Sequence, residues 1–114
     1  MEALERILLY DYYGDLLTQR QQMCFDLHYN QDLSLGEIAQ ELNISRQGVH
    51  DNLSRAEALL KNMEEKTGCV NRDMQMRKAM HSMREMAEEL RTHSDDRVRQ
   101  LAEEMITCAQ GFEE

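Results

Sequence analysis

"LSLGEIAQELNISRQGVHDNLSRAEALL", residues 33–60, is the stretch that decides the fold. Ser34-x-x-Glu37 is a capping-box pattern: the hydroxyl takes the backbone N–H of residue 37, and the carboxylate reaches back to the N–H of residue 34. Behind it Leu35, Ile38, Ala39 and Leu42 recur at steps of three and four, which predicts a helix through Leu42 with one apolar stripe. Asn43 stands where the chain must turn, and Asn tolerates the left-handed conformation better than any residue except glycine. Ile44 plugs the turn and Ser45 caps a second helix, whose buried face is set by Val49, Leu53, Ala56 and Leu60. Two helices crossing steeply need a small side chain at the contact, and Ala39 supplies it. Such a pair, joined by about three residues, is a helix-turn-helix. The second helix runs to about Lys66 and stops at Gly68.

Upstream, residues 4–17 put Leu4, Ile7, Leu8 and Leu16/Leu17 near helical spacing, with Gly14 weakening the last turn. Thr18 and Gln21 form another capping box, opening a helix to about Tyr29 that buries Met23, Leu27 and either Cys24 or Phe25. Downstream, Met76, Met80, Met83, Ala87 and Leu90 step four, three, four, three, a heptad seam. Ser94-Asp95-Asp96 caps a last helix, on which Val98, Leu101, Met105 and Ala109 continue the seam. The reading is all-α: a helix-turn-helix domain over residues 1–66 and a C-terminal helical hairpin over 67–114. The hairpin's seam needs a partner, either the N-terminal domain or a second copy.

Composition agrees. The 114 residues contain no proline and five glycines, with 41% hydrophobic and 31% charged residues, which fits a folded all-helical domain without flexible linkers. No apolar run reaches the roughly 18 residues of a membrane span, and no signal-peptide layout is present, so the chain is expected in the cytoplasm. Cys24, Cys69 and Cys108 are odd in number and widely spaced, which indicates neither a disulfide framework nor a zinc knuckle.

On the second helix, with Val49 and Leu53 turned inward, the outward side chains are Arg46, Gln47, His50, Asp51 and Ser54, with Ser45 at the tip. Arginine can fork to guanine and glutamine to adenine, while serine and histidine serve bases or phosphates. Arg55 and Lys61 can touch backbone farther along. Yet net charge is −9, and between Ser34 and Lys61 three positive residues face four negative ones. A duplex binder draws most of its affinity from phosphate neutralisation, so this pair alone binds weakly and calls for dimerisation or a basic contribution from elsewhere in the chain. Arg77, Arg84 and Arg91 recur every seven residues, either as a phosphate-tracking stripe on RNA or DNA or as a solvated flank pairing with Glu85, Glu88 and Glu89. The methionines could offer an adaptable surface for partner helices or simply fill core. Cys24 and His28 share a helix face but have no third or fourth ligand, so core packing is the simpler reading and no metal or cofactor is expected. With no phosphate-cradling loop or nucleophile motif, an enzyme is not expected; adjacent His50 and Asp51 point apart on a helix.

"LTQRQQMCFDLHYNQDLSLGEIAQELNIS" followed by Val49, Leu53, Arg55 and Ala56 resembles region 4 of bacterial sigma factors, which reads the −35 promoter element. With "YYGDLLTQRQ" and "SRQGVHDNLSRAEALL", the chain is still more similar to the YlxM-like helix-turn-helix proteins associated with the signal recognition particle operon. The resemblance covers about residues 5–66. It implies a sigma-region-4-like domain with a helical tail and a nucleic-acid-binding regulatory role, DNA before RNA. By gene association it also implies a link to signal recognition particle components. Carried onto this chain, it puts Ser45 at the cap, Arg46, Gln47, His50, Asp51 and Ser54 on the groove face, and Arg55 at the usual basic position. The chain departs from sigma factors at Glu57, Ala58 and Leu59, and Gly48 loosens the recognition helix by up to roughly 1 kcal/mol against alanine. The expected function is a non-enzymatic, homodimeric, nucleic-acid-binding regulator. The alternative is a protein-interaction accessory of the signal recognition particle that uses the helix pair as scaffold.

Overall fold

The computed structural model describes residues 1–111 and gives an all-helical protein. Its helices are α1 (Ala3–Tyr13), α2 (Gln19–Phe25), α3 (Leu35–Leu42), α4 (Arg46–Thr67), α5 (Cys69–Leu90) and α6 (Asp96–Gln110). No helix among the described residues is long and apolar enough to cross a membrane. The packing divides into two compact units, Met1–Val70 and Asn71 onward. No linker separates them. Gly68 ends α4 in the left-handed conformation at φ 64°, and α5 starts one residue later. Val70 is buried, and its N–H donates to Glu64 Oε1 at 3.0 Å, so the packing boundary falls beyond the expected 66/67 division.

In the first unit α4 is the central strut, with α1, α2 and α3 packed on it. Its core is Leu9, Tyr13, Leu17, Cys24, Phe25, Ile38, Val49, Leu53, Ala56 and Leu60. The expected stripe over residues 4–17 is corrected in part: Leu4 and Ile7 are exposed and Leu8 half-buried, Leu9 and Tyr13 are buried in their place, and of Leu16/Leu17 it is Leu17 that turns inward. The aromatics turn the helix. Tyr13 must reach across to α4, where its hydroxyl donates to Glu64 Oε1 at 2.8 Å and lies 2.5 Å from the Thr67 hydroxyl. Tyr10 stacks on Phe25 with centroids 4.6 Å apart. The weak last turn at Gly14 becomes a 3-10 turn over Gly14–Leu16.

Both capping boxes form, Thr18 with Gln21 and Ser34 with Glu37. Cys24 and Phe25 are both buried, whereas Met23, expected inside, is exposed and Leu27 is half-buried. Beyond Phe25 the helix widens: α2 runs into a π-helical turn over Asp26–Asn30, which contains Leu27, closed by Gln31 N–H to the Asp26 carbonyl at 3.2 Å. One extra residue in the turn rotates the side chains that follow it. The Asp26 carboxylate steadies this turn by accepting from Asn30 Nδ2 (2.8 Å) and Gln31 Nε2 (3.0 Å).

In the second unit α5 and α6 are joined by residues 91–95. Asp95 caps α6 by accepting the Arg97 N–H at 2.8 Å. Arg91 ties the two helices, 2.9 Å from Glu88 and 3.8 Å from Glu103. The buried residues are Ala87, Ala102, Ile106 and Ala109. The expected heptad seam is therefore split. Ala87 is buried and Met80 half-buried, but Met76, Met83, Leu90, Leu101 and Met105 remain exposed. Small residues on α6 let the pair pack along one narrow edge of the stripe, leaving the large side chains outside it.

Candidate nucleic-acid interface

The site is built by the turn. Asn43 adopts φ 56°, ψ 48°, and its N–H closes onto the Ala39 carbonyl; the Ile44 N–H reaches the same carbonyl at 3.1 Å. These bonds satisfy the end of α3, as a left-handed C-cap does. Arg20, on α2, adds a donor at the same place, its Nη1 lying 3.3 Å from the Leu42 carbonyl. Two residues on, Ser45 starts α4 by accepting the Gly48 N–H at 2.9 Å. A Cβ at Gly48 would stand 3.1 Å from that same Ser45 Oγ, so glycine here allows the close approach of cap and backbone.

With Val49, Leu53, Ala56 and Leu60 buried, the helical period leaves Arg46, Gln47, His50, Asp51, Ser54 and Arg55 exposed, with Ser45 beside them. The Arg46 and Gln47 N–H groups precede the first intrahelical bond, from Val49 N–H to the Ser45 carbonyl at 3.1 Å. They give the face a partly positive start.

Asp51 organises the middle of this face. Its Oδ1 accepts from Gln47 Nε2 at 3.1 Å and lies 3.7 Å from His50 Nδ1. His50 and Asp51 thus approach each other more closely than their adjacency on the helix suggests. Asn52 turns inward along the helix, donating to the Gly48 carbonyl at 2.8 Å. Arg20 escaped the sequence reading as part of this region. Its contact spans twenty-two residues, and no local periodicity connects a charge on α2 with the end of α3.

The other candidates have local partners. Arg77 pairs with Asp73 at 2.9 Å, Arg91 with Glu88, and Arg84 Nη2 lies 3.3 Å from His81 Nδ1. Cys24 is fully buried and burial raises its thiol pKa. His28 Nδ1 lies 2.9 Å from the Leu33 carbonyl, which occupies one ring nitrogen. Among the described residues no group of three or more His, Cys, Asp or Glu side chains gathers around a point where a metal could sit. Cys24 and Cys108 are free thiols.

Comparison with known proteins agrees with this architecture. Residues 1–105 match the model of the UPF0122 family, described as "Putative helix-turn-helix protein, YlxM / p13 like". A UPF0122 protein of Desulforamulus reducens is 56% identical over 73 residues, covering 64% of this chain and 62% of the relative. One of Acetivibrio thermocellus is 54% identical over 76 residues, 67% of this chain and 65% of the relative. A Bacillus cereus relative is 38% identical over 95 residues, 83% of this chain and 86% of the relative. The chain thus spans a little under two thirds of the length of the first two. The chain belongs to the UPF0122 family of YlxM/p13-like helix-turn-helix proteins.

Proposed function

We propose that this chain is a non-enzymatic, cytoplasmic, nucleic-acid-binding regulator that lays the N-terminal half of α4 into the major groove of DNA. The observation that carries the reading is the unbroken exposed polar face Ser45, Arg46, Gln47, His50, Asp51, Ser54 and Arg55, fixed by a capped turn to a buried core. A recognition helix contacts base edges with its N-terminal residues, and in the sigma-region-4-like arrangement those are the residues named. Arg46 and Gln47 are placed for bases, His50 and Ser54 for bases or phosphates, and Arg55 for the backbone. Asp51 orients Gln47 and can itself accept from a cytosine amino group. Arg20 adds a cation beside the turn. Local charge keeps the affinity of one copy low, so two copies on one duplex are part of the proposal.

Fluorescence anisotropy against a mixed-sequence duplex and against signal recognition particle RNA, titrated across salt, tests it. Binding to the duplex weakens steeply with salt. Arg46→Ala costs about 1–3 kcal/mol and lowers the salt slope by about 1. If Arg46→Ala leaves binding intact while neutralising Arg77, Arg84 and Arg91 abolishes it, α4 is not the reader.

A second reading is favoured by charge. Over Met1–Val70 six basic residues stand against twelve acidic ones, a net of −6, and Asp51 sits in the middle of the face. In that reading the helix pair is a scaffold for contact with a signal recognition particle component. Binding of that component by a chain that ignores duplex DNA at low salt would select it.

A further inference from the structure

Between α1 and the end of α2 the first unit holds a small pocket of about 220 Å³, below the roughly 300–1,000 Å³ of sites that take drug-sized ligands. Much of its lining is aromatic. Tyr10 and Phe25 stack with centroids 4.6 Å apart, and Phe25 meets Tyr29 at 4.7 Å. Ile7, exposed on α1, adds an aliphatic wall. Tyr29 and Asn30 are brought to the pocket by the π-helical turn over Asp26–Asn30, and such turns recur at functional sites.

Two opposite charges share this lining, Arg6 and Asp11. The Arg6 guanidinium lies over the Tyr29 ring, its carbon 3.9 Å from the centroid. Its Nη2 donates to the Met1 carbonyl at 3.2 Å, but Nε, shielded from solvent, meets no acceptor among the described residues. Those two N–H groups stand side by side on one edge of the guanidinium. A carbonyl oxygen takes one of them, whereas a carboxylate takes both. Met1 precedes Glu2, the cap of α1, so exchanging its carbonyl for a carboxylate breaks no helical bond. Asp11 is exposed five residues farther along the helix, about 7.5 Å at 1.5 Å per residue. Asn30 has its Nδ2 on Asp26 at 2.8 Å, which leaves the amide oxygen as a neutral acceptor.

These features select one chemical class. The net charge of −6 over Met1–Val70 opposes a simple anion, and Arg6 opposes a simple cation. A zwitterion of no net charge meets neither objection and uses both Arg6 and Asp11. The small volume and the apolar walls call for one compact hydrophobic group beside the two charges. We infer that this pocket binds a free apolar α-amino acid, its carboxylate on Arg6, its ammonium on Asp11 and Asn30, and its side chain against Ile7, Tyr10 and Phe25. None of the lining residues belongs to α3 or α4, so the inference stands or falls independently of the nucleic-acid reading.

The test is a backbone-amide NMR titration of the full chain, without nucleic acid, using L-leucine and L-phenylalanine as probes. Saturable shifts centred on Arg6, Tyr10, Asp11 and Asn30 are expected. 4-Methylpentanoate and isopentylamine carry the leucine side chain with only one of its two charges. Each should bind at least about tenfold more weakly, as the loss of one charge-assisted hydrogen bond predicts. Asp11→Asn and Arg6→Lys should weaken leucine by a similar factor. Asp11 is exposed, so its variant keeps the fold and decides the matter even if Arg6→Lys loosens α1. No shift with either amino acid at about 10 mM overturns the inference. So do shifts centred elsewhere, equal binding of either single-charge analogue, or an Asp11→Asn chain that binds leucine as tightly as wild type.

Discussion

The two units of this protein use the same sequence code for different ends. In the helix-turn-helix unit, apolar residues at steps of three and four on α3 and α4 close a core: Ile38, Val49, Ala56 and Leu60 are fully buried. In the hairpin the same spacing produces a stripe of which only one edge is buried, by alanines and Ile106. Periodicity states which residues share a face. It does not state whether that face is closed by the chain itself or by another molecule. Side-chain size makes the difference here, because small residues close the hairpin along a line while its methionines and leucines stay outside.

The largest effect that separates the units is a core truncation. Leu60 is 0% exposed on α4, and Leu60→Ala should cost about 2–5 kcal/mol in denaturant unfolding, the range for removing a fully buried leucine side chain. Met105, 45% exposed on α6, should cost under about 1 kcal/mol as Met105→Ala when measured dilute enough for the chain to be monomeric. Equal losses would mean that the seam is closed within one chain.

A smaller effect concerns the junction of α4 and α5. The buried Tyr13 hydroxyl binds Glu64 and Thr67, and Glu64 Oε1 also takes the Val70 N–H. One side chain on α1 thus supports the end of one helix and the start of the next. Tyr13→Phe should cost about 1–2 kcal/mol by thermal unfolding, the cost of a buried hydrogen bond with a charged partner. A change within measurement error would make the contact incidental.

A third distinction is set by pH. All four tyrosines lie in the first unit. Burial, then the hydrogen bond to Glu57, pushes Tyr29 from 10.0 up to about 12, and burial raises Tyr10 and Tyr13 as well. The sign follows: a raised folded pKa means the folded state holds its proton longer than the unfolded one. That stabilisation is complete below pH 10 and is lost as pH rises toward 12. The first unit should therefore loosen in that window, followed by tyrosinate absorbance, and Tyr29→Phe should flatten the dependence. The Tyr29–Glu57 bond should be lost in the same step. If the hairpin's helicity falls first, the assignment is wrong.

How much of this was legible in the sequence depends on the range of the contact. Capping boxes at Thr18 and Ser34, the left-handed Asn43 and the buried face of α4 follow from neighbours within a turn or two, and all are observed. The inward face of α1 was misread because it is chosen by Tyr13 reaching Glu64, fifty-one residues away. Leu27 is only half-buried because the π-helical turn that contains it breaks the period of α2. The outward row Arg46, Gln47, His50, Asp51, Ser54 and Arg55 was readable as the complement of a clear apolar stripe. The bonds that gather Gln47 and His50 onto Asp51 depend on rotamers, which spacing alone does not fix.

The proposed contact is between nucleic acid and the start of α4. The most direct test is a backbone-amide NMR titration of the 13.4 kDa chain with a short duplex at low salt. Shifts concentrated at Arg46, Gln47, His50 and Ser54, with Arg20 beside them and the hairpin unmoved, are the predicted result. Shifts confined to Arg77, Arg84 and Arg91, or none at all, would contradict it.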